Sequence, residues 1–102
     1  MNEGVPGSEV DADQTARRCV TITNTRGLHA RAAAKFVRCA SQFECEIQVG
    51  KDAMTVNGKS IIGVLLLAAP QGSRILVIAD GGDEDDALTT LAELVATRFG
   101  EE

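Results

Sequence analysis

The chain is poor in aromatic residues and in long apolar runs. Its 102 residues include no tryptophan, no tyrosine, three phenylalanines, two prolines and a single histidine. So few rings leave little surface for stacking bases, and a net charge of -5 argues against a duplex nucleic acid as partner. The longest apolar run, residues 61–69, is interrupted by Gly63 and falls well short of the roughly 20 residues of a membrane-spanning helix. We therefore predict no nucleic-acid partner and no insertion into a membrane.

Cysteines are also scarce, and their spacing fits neither a disulfide framework nor a metal site. Cys19, Cys39 and Cys45 are odd in number and include no CxxC pair, so we expect three reduced thiols, no metal and no cofactor. Residues 1–16 carry four acidic residues and lack the apolar stretch of a secretory signal. We predict that they form a mobile tail, that residues 17–102 form one domain, and that the protein is cytoplasmic.

The charges are distributed unevenly along the chain. Six basic residues and no acidic residue lie between Arg17 and Phe43, whereas the chain from Asp80 onward has eight acidic residues and only one basic residue, Arg98. Charges segregated in this way create a strong local potential even when the net charge is small. One end of the folded domain is therefore predicted to face anions.

Hydropathy patterns predict four strands and three helices. Period-two alternation is typical of half-buried strands, and apolar residues recurring every three or four positions are typical of amphipathic helices. The strands are predicted over residues 18–24, 45–49, 53–57 and 74–80, and the helices over residues 29–43, 60–69 and 83–99. The strands need one face covered, and the helices supply that cover. The predicted fold is α+β, a two-layer open-faced sandwich in the order β-α-β-β-α-β-α, with three helices on one face of a four-stranded antiparallel sheet.

The apolar segment 61–69 fits both a buried strand and a short helix. We choose a helix, because Ser60 is a good N-cap and Pro70 is a good stop. On such a helix, four residues would fill the core and three would be left over as an exposed apolar patch for a partner. The predicted core residues are Ile61, Val64, Leu65 and Ala68, and the predicted exposed residues are Ile62, Leu66 and Ala69.

The first and last predicted helices carry opposite charges. On the first, Arg31, Lys35 and Arg38 form a cationic stripe, which is usually a solvated face but can also bind an acidic partner. The last begins with the acidic run 83–86, which we interpret as helix capping favoured by the helix dipole. Its apolar side is predicted to extend as far as Phe99.

The single histidine, His29, follows Gly27 at the start of the cationic helix. Backbone N–H groups in a first helical turn lack partners and carry the positive end of the dipole, so they can bind a phosphoryl group. A positive environment also disfavours the imidazolium, which keeps the ring neutral and nucleophilic. A lone histidine is usually only a surface or packing residue, and the surrounding motif decides between the two interpretations.

Two motifs stand out, G-L-H-A-R-A-A beginning at Gly27 and V-N-G-K-S-I-I-G-V-L beginning at Val56. Together they resemble the motifs of HPr, the histidine-containing phosphocarrier family of the phosphoenolpyruvate-dependent phosphotransferase system. The resemblance covers about residues 17 to 100, and the predicted order of elements is also that of the family. It implies an HPr-like fold and a relay protein that accepts a phosphoryl group and passes it on, without turnover of its own.

The resemblance implies a role for each matching residue. His29 would accept the phosphoryl group on Nδ1 from enzyme I and surrender it to a IIA protein, and Arg31 would pair with the group through its planar guanidinium. Ser60 would be a regulatory phosphorylation site for an HPr kinase/phosphorylase, although helix capping alone also explains its position. The phosphoryl-binding loop and helix start would be formed by Gly27, Leu28 and Ala30. For docking of these partners to a monomer, we predict a surface of Arg26, Lys35, Lys59, Ile61, Ile62 and Leu66.

Two residues depart from the pattern of the sugar-uptake proteins in that family. Ala32 stands where proline is usual, and Arg26 stands where asparagine or threonine is often found. Both residues resemble the nitrogen-related, regulatory branch, which leaves the carrier chemistry intact and the destination of the phosphoryl group open. The alternatives are a regulatory interaction protein whose phosphorylation state selects its partner, with no role in sugar transport, and a small α+β module that binds an anion or RNA.

Overall fold

The computed structural model describes residues 16–101, which form two layers. This part of the chain contains four strands and three α-helices in the order β-α-β-β-α-β-α, and none of its helices has the length and apolar character needed to cross a membrane. The strands are β1 (Ala16–Thr21), β2 (Glu46–Lys51), β3 (Met54–Asn57) and β4 (Arg74–Asp80), the α-helices are α1 (Ala30–Ala40), α2 (Ile61–Leu66) and α3 (Glu84–Ala96), and a 3₁₀ helix follows at Arg98–Gly100. The predicted α+β class is confirmed. The predicted mobile tail lies outside the described residues, apart from Ala16.

The sheet is antiparallel throughout, with the strand order β1-β4-β2-β3. Along β4, three alternate residues are buried, and the residues between them are exposed or half-buried. This alternation places one face of the sheet in the core, to which the helices contribute large side chains such as Phe36 and Leu91. The other face carries exposed polar residues, including Thr21 and Gln48, as predicted. All three cysteines are free thiols, also as predicted.

The first strand lies earlier in the chain than predicted. It begins at Ala16, which pairs with Ala79 of β4, and it ends at Thr21. Beyond the strand, Ile22 remains fully buried, and its N–H donates to the carbonyl of Ser73. The alternation in the sequence continues past the strand because Ile22 must be apolar for burial, whatever the backbone conformation there.

The segment that was ambiguous in the sequence is a helix, α2, but its predicted buried face is wrong. Among the predicted core residues only Val64 is buried, and Ala69, predicted to be exposed, is buried as well. The helix ends at Leu66, and the chain then turns through Ala68, which has a positive φ of 49°. Helical periodicity therefore does not apply to the residues that follow the helix. Those exposed against the prediction are Ile61, Leu65 and Ala68, and those exposed as predicted are Ile62 and Leu66.

Asp83 does not cap α3, although it occupies the N-cap position. Its Oδ2 accepts the N–H of Glu44 at 2.9 Å, and its Oδ1 accepts the N–H of Cys45 at 2.9 Å. These two bonds tie the beginning of α3 to the residues just before β2. The hydrogen bond from the Glu44 N–H is the main cause that lowers the pKa of Asp83. Burial, followed by the hydrogen bond to Asp83, raises the pKa of the Cys45 thiol to about 11.

Replacing Asp83 with asparagine is expected to remove part of the pH dependence of folding stability. Because the pKa of the folded carboxyl lies below its ordinary value of 3.8, its contribution is present above that value and is lost as the pH falls through the lowered pKa. The amide of Asp83→Asn does not titrate. Urea denaturation over a pH series measures the effect, and Asp85→Asn, at an exposed position in the first turn of α3, changes the charge equally. Identical pH profiles for the two variants would contradict this role of Asp83.

Candidate functional site

The loop before α1 is fixed against the segment that follows α2. Gly27 has a positive φ of 68°, its N–H donates to the carbonyl of Asn24, and the N–H of Leu28 donates to the carbonyl of Ala69 at 2.9 Å. A Cβ atom on Gly27 would lie 2.5 Å from that Ala69 oxygen and 2.9 Å from the Cα of Pro70. Only glycine fits at this position, because the conflicting atoms belong to the backbone. Leu28 is buried and anchors the loop.

His29 is the N-cap residue of α1, and its ring faces the first helical turn. Its Nδ1 accepts the N–H of Arg31 at 3.3 Å, and its carbonyl accepts the N–H of Ala33 at 2.8 Å. A backbone N–H can only donate, so Nδ1 carries a lone pair here rather than a hydrogen. The side chain is 20% exposed, so an incoming group can reach it. The predicted nucleophile is therefore accessible and lies next to helix N–H groups that can bind an anion.

The other ring nitrogen contacts a residue that sequence analysis did not single out. His29 Nε2 lies 2.6 Å from Oε2 of Glu101, and since Nδ1 is the acceptor, Nε2 carries the hydrogen and donates it. The Nδ2 group of Asn24 donates both to Glu101 Oε1 at 3.2 Å and to the carbonyl of Gly27 at 2.8 Å. The predicted positive environment of the ring does not extend to this side, where a carboxylate faces it. No periodicity or spacing signals a contact across 72 residues of sequence.

The remaining residues predicted around His29 share the first turn of α1 or the loop before it. Arg26, Ala30 and Arg31 are exposed, so both arginine side chains are open to solvent at positions close to His29 in the sequence. Ala32, which stands at the position where proline is usual, is fully buried in the core. Alanine is well tolerated inside a first helical turn, so this departure leaves the helix start intact.

The two lysines predicted as docking residues are both bonded within the protein. The ammonium of Lys35 donates to the carbonyl of Phe99 at 2.7 Å, and that of Lys59 donates to the carbonyl of Phe43 at 2.6 Å. Both side chains are only half-exposed. Each ammonium thus donates to a backbone carbonyl oxygen of another segment, a structural contact that the sequence did not predict.

Ser60 lies at the predicted helix start, and the apolar patch of α2 includes the predicted Ile62 and Leu66. Ser60 is the N-cap of α2, and its Oγ accepts the N–H of Gly63 at 3.1 Å. The next two residues, Ile61 and Ile62, are exposed, and Leu66 is 62% exposed one turn later. The hydroxyl that caps α2 is therefore followed directly by an apolar patch, which no other described residue buries.

Known proteins resemble this chain over nearly all of the described residues. The family model described as "PTS HPr component phosphorylation site" matches residues 16–97. A "Phosphocarrier protein HPr" from Pseudomonas aeruginosa is 47% identical over 83 residues, which cover 80% of this chain and 92% of the relative. Another from Neisseria meningitidis serogroup A is 46% identical over 85 residues, which cover 83% and 96% respectively.

Solved structures resemble the fold as well. A crystal structure of HPr-C-His from Thermoanaerobacter tengcongensis is similar with a TM-score of 0.83 and 44% identity, covering 85% of this chain and 98% of that one. A phosphocarrier protein HPr from Bacillus anthracis has a TM-score of 0.76 and 40% identity, covering 78% of this chain and 95% of its own. Sequence and fold therefore lead to the same group of bacterial proteins.

Proposed function

This chain belongs to the HPr family of phosphocarrier proteins of the phosphotransferase system, and from that premise we propose that His29 takes a phosphoryl group from phospho-enzyme I and passes it to a IIA protein. The observation that carries the proposal is the position of His29 Nδ1, an accessible lone pair at the first turn of α1. The work of such a relay depends on phosphoenolpyruvate, a metabolite of the cell interior, so we place it in the cytoplasm.

The transfer is a displacement at phosphorus. The lone pair of Nδ1 forms a new N–P bond while the bond to enzyme I breaks, and its electron pair leaves with enzyme I. The hydrogen bond from Arg31 N–H to Nδ1 is long at 3.3 Å, so it is weak and easily exchanged. Once the phosphoryl group occupies Nδ1, its oxygens can accept this N–H, and the exposed Arg31 guanidinium can pair with two of them. Transfer to the IIA protein reverses these steps.

Docking is proposed to use the apolar patch of α2 and the cations near His29. Ile61, Ile62 and Leu66 are exposed together on a short helix, which is unusual for large apolar side chains. Arg26 and Arg31 are exposed and lie close to His29 in the sequence. A partner that buries apolar side chains against α2 and presents acidic side chains to the arginines would bring its own reactive group to His29.

Ser60 is proposed as a regulatory phosphorylation site for an HPr kinase/phosphorylase. A phosphate there would add about two negative charges and could still accept the Gly63 N–H. The added charge would lie next to Ile61, inside the proposed docking surface, and would repel an acidic partner. Such a switch would give the carrier a regulatory output. That output agrees with Arg26 and Ala32, the two residues that resemble the regulatory branch of the family.

The proposed function is tested by incubating the protein with phosphoenolpyruvate and enzyme I. One phosphoryl group per chain is expected, stable to base and lost in mild acid, as a phosphohistidine is. The Pseudomonas aeruginosa HPr serves as the positive control in the same reaction. If that control is labelled and this chain is not, the carrier function is wrong, and an anion-binding role for the loop from Gly27 to Arg31 replaces it.

A further inference from the structure

Glu101 and His29 form the shortest side-chain contact of the site, at 2.6 Å. We propose that Glu101 is a positioning residue, whose carboxylate fixes the hydrogen of His29 on Nε2 and stabilises the positive charge that the ring acquires when Nδ1 takes up a phosphoryl group. The inference rests on the proposed function and adds a residue to it. Glu101 lies beyond residue 97, where the match to the family model ends.

The ring is held from both sides by groups with fixed roles. On one side a backbone N–H of Arg31 can only donate, and on the other the Glu101 carboxylate can only accept. These two contacts select the tautomer with the hydrogen on Nε2 and the lone pair on Nδ1. Without the carboxylate, the hydrogen could move to Nδ1, and the nucleophilic atom would then be blocked.

The position of the Glu101 side chain is fixed by contacts with buried residues. Its Oε1 accepts a hydrogen bond from Asn24, a fully buried residue whose amide also braces the loop at Gly27. Two residues earlier, Phe99 is 1% exposed, and its carbonyl accepts the ammonium of Lys35. The side chain of Glu101 is only 11% exposed. This hydrogen bond explains why Lys35 is half-buried, although Arg31 and Arg38 on the same cationic face of α1 are exposed.

The carboxylate acts on the step in which charge appears on the ring. When the Nδ1 lone pair of a neutral imidazole forms the N–P bond, the ring keeps its Nε2 hydrogen and gains a positive charge shared by both nitrogens. A carboxylate already in contact with the Nε2 hydrogen is oriented to stabilise that charge as it develops. When the group leaves for an acceptor, the electron pair of the N–P bond returns to Nδ1, and the ring is neutral again with its hydrogen in place.

The substitution Glu101→Gln tests the charge while keeping a side chain of the same size. The maximal rate of phosphoryl uptake from phospho-enzyme I is expected to fall about tenfold, the effect of losing one charge-assisted hydrogen bond. The enzyme I concentration giving half-maximal rate is expected to stay unchanged, because Glu101 is covered and does not belong to the docking surface. Glu93→Gln, at an exposed position on α3, makes the same change in net charge and is expected to react like the wild type.

Nitrogen NMR of the unphosphorylated protein provides a second readout that needs no enzyme I. The wild-type spectrum is expected to show His29 with its hydrogen on Nε2, and Glu101→Ala is expected to show a mixture of both tautomers while the rest of the spectrum keeps its dispersion. Equal uptake rates for Glu101→Gln and Glu93→Gln, or an unchanged tautomer in Glu101→Ala, would overturn the inference. Failure of the wild type to be labelled would instead overturn the proposed function, and the tautomer measurement would still decide whether Glu101 controls the ring.

Discussion

An alanine in place of His29 is expected to abolish phosphoryl uptake from phospho-enzyme I. The chain has no other histidine, so no second imidazole can replace it. The same substitution removes the N-cap acceptor of α1, since the Nδ1 atom that takes the Arg31 N–H is lost. Loss of an N-cap side chain costs about 1 kcal/mol of stability. His29→Ala therefore combines a chemical effect with a structural one, and the two must be separated.

The variant His29→Asn separates them. Asparagine is a favoured N-cap residue, and its side-chain oxygen can accept the N–H groups of the first turn. It offers no nucleophilic lone pair on an imidazole nitrogen. We expect His29→Asn to unfold at nearly the wild-type urea concentration, His29→Ala to unfold earlier, and both to remain unlabelled by enzyme I and phosphoenolpyruvate.

Acid treatment distinguishes labelling at His29 from labelling elsewhere. A phosphoserine at Ser60 survives acid, whereas the N–P bond of a phosphohistidine is hydrolysed. Acid-labile phosphate on either His29 variant would show that His29 is not the acceptor. Acid-stable phosphate on a variant would indicate a reaction at another residue, so only the acid-labile phosphate counts as uptake by the imidazole.

The position of His29 was predictable from sequence because everything that defines it is local. A glycine-containing turn, a histidine and an apolar stripe of helical period follow one another within a few residues of Gly27. Each of these signals acts through backbone conformation over one or two turns, which a single sequence encodes directly. The strand β4, Arg74–Asp80, was predicted with its observed bounds for the same reason, since a continuous apolar run specifies a central strand.

The contacts that complete the site were not predictable because they join distant segments. Glu101 reaches His29 only after α3 has crossed the sheet, and Asn24 is polar yet fully buried at the same place. Asp83 was interpreted from its local position as a helix cap, but its carboxylate reaches back to Glu44 and Cys45. Glu101 and Asp83 accept ring or backbone N–H groups from another element, and Asn24 donates to the distant Glu101 carboxylate. Hydropathy carries no information about such pairs.

The second large effect is expected from Gly27→Ala, which should lower the free energy of unfolding by about 3 kcal/mol or more. Placing a side chain at a positive φ costs about 1–2 kcal/mol. The new Cβ would also meet Ala69 O at 2.5 Å and the Cα of Pro70 at 2.9 Å, and backbone atoms cannot rotate out of the way. The loop must then move, which stretches the hydrogen bond from Leu28 N–H to that same oxygen.

Gly72→Ala provides a control that isolates the steric part of this effect. Gly72 also has a positive φ, of 92°, but a Cβ there would meet no atom within 4 Å. Its loss of stability should therefore be limited to the backbone cost, about 1–2 kcal/mol in urea denaturation. Equal losses in the two variants would show that the Ala69–Pro70 segment yields easily and does not fix the loop.

The same pair of variants links this packing to the chemistry of His29. Only Leu28 separates Gly27 from His29. A displacement of the loop would therefore change the contact of His29 Nδ1 with the first turn of α1 and the contact of Nε2 with Glu101. Under conditions where both proteins are fully folded, Gly27→Ala should take up phosphate more slowly than Gly72→Ala. A misplacement of about 1 Å can cost about 100-fold in rate, so the fit of Gly27 against the Ala69 carbonyl is expected to support the transfer by holding the imidazole in place.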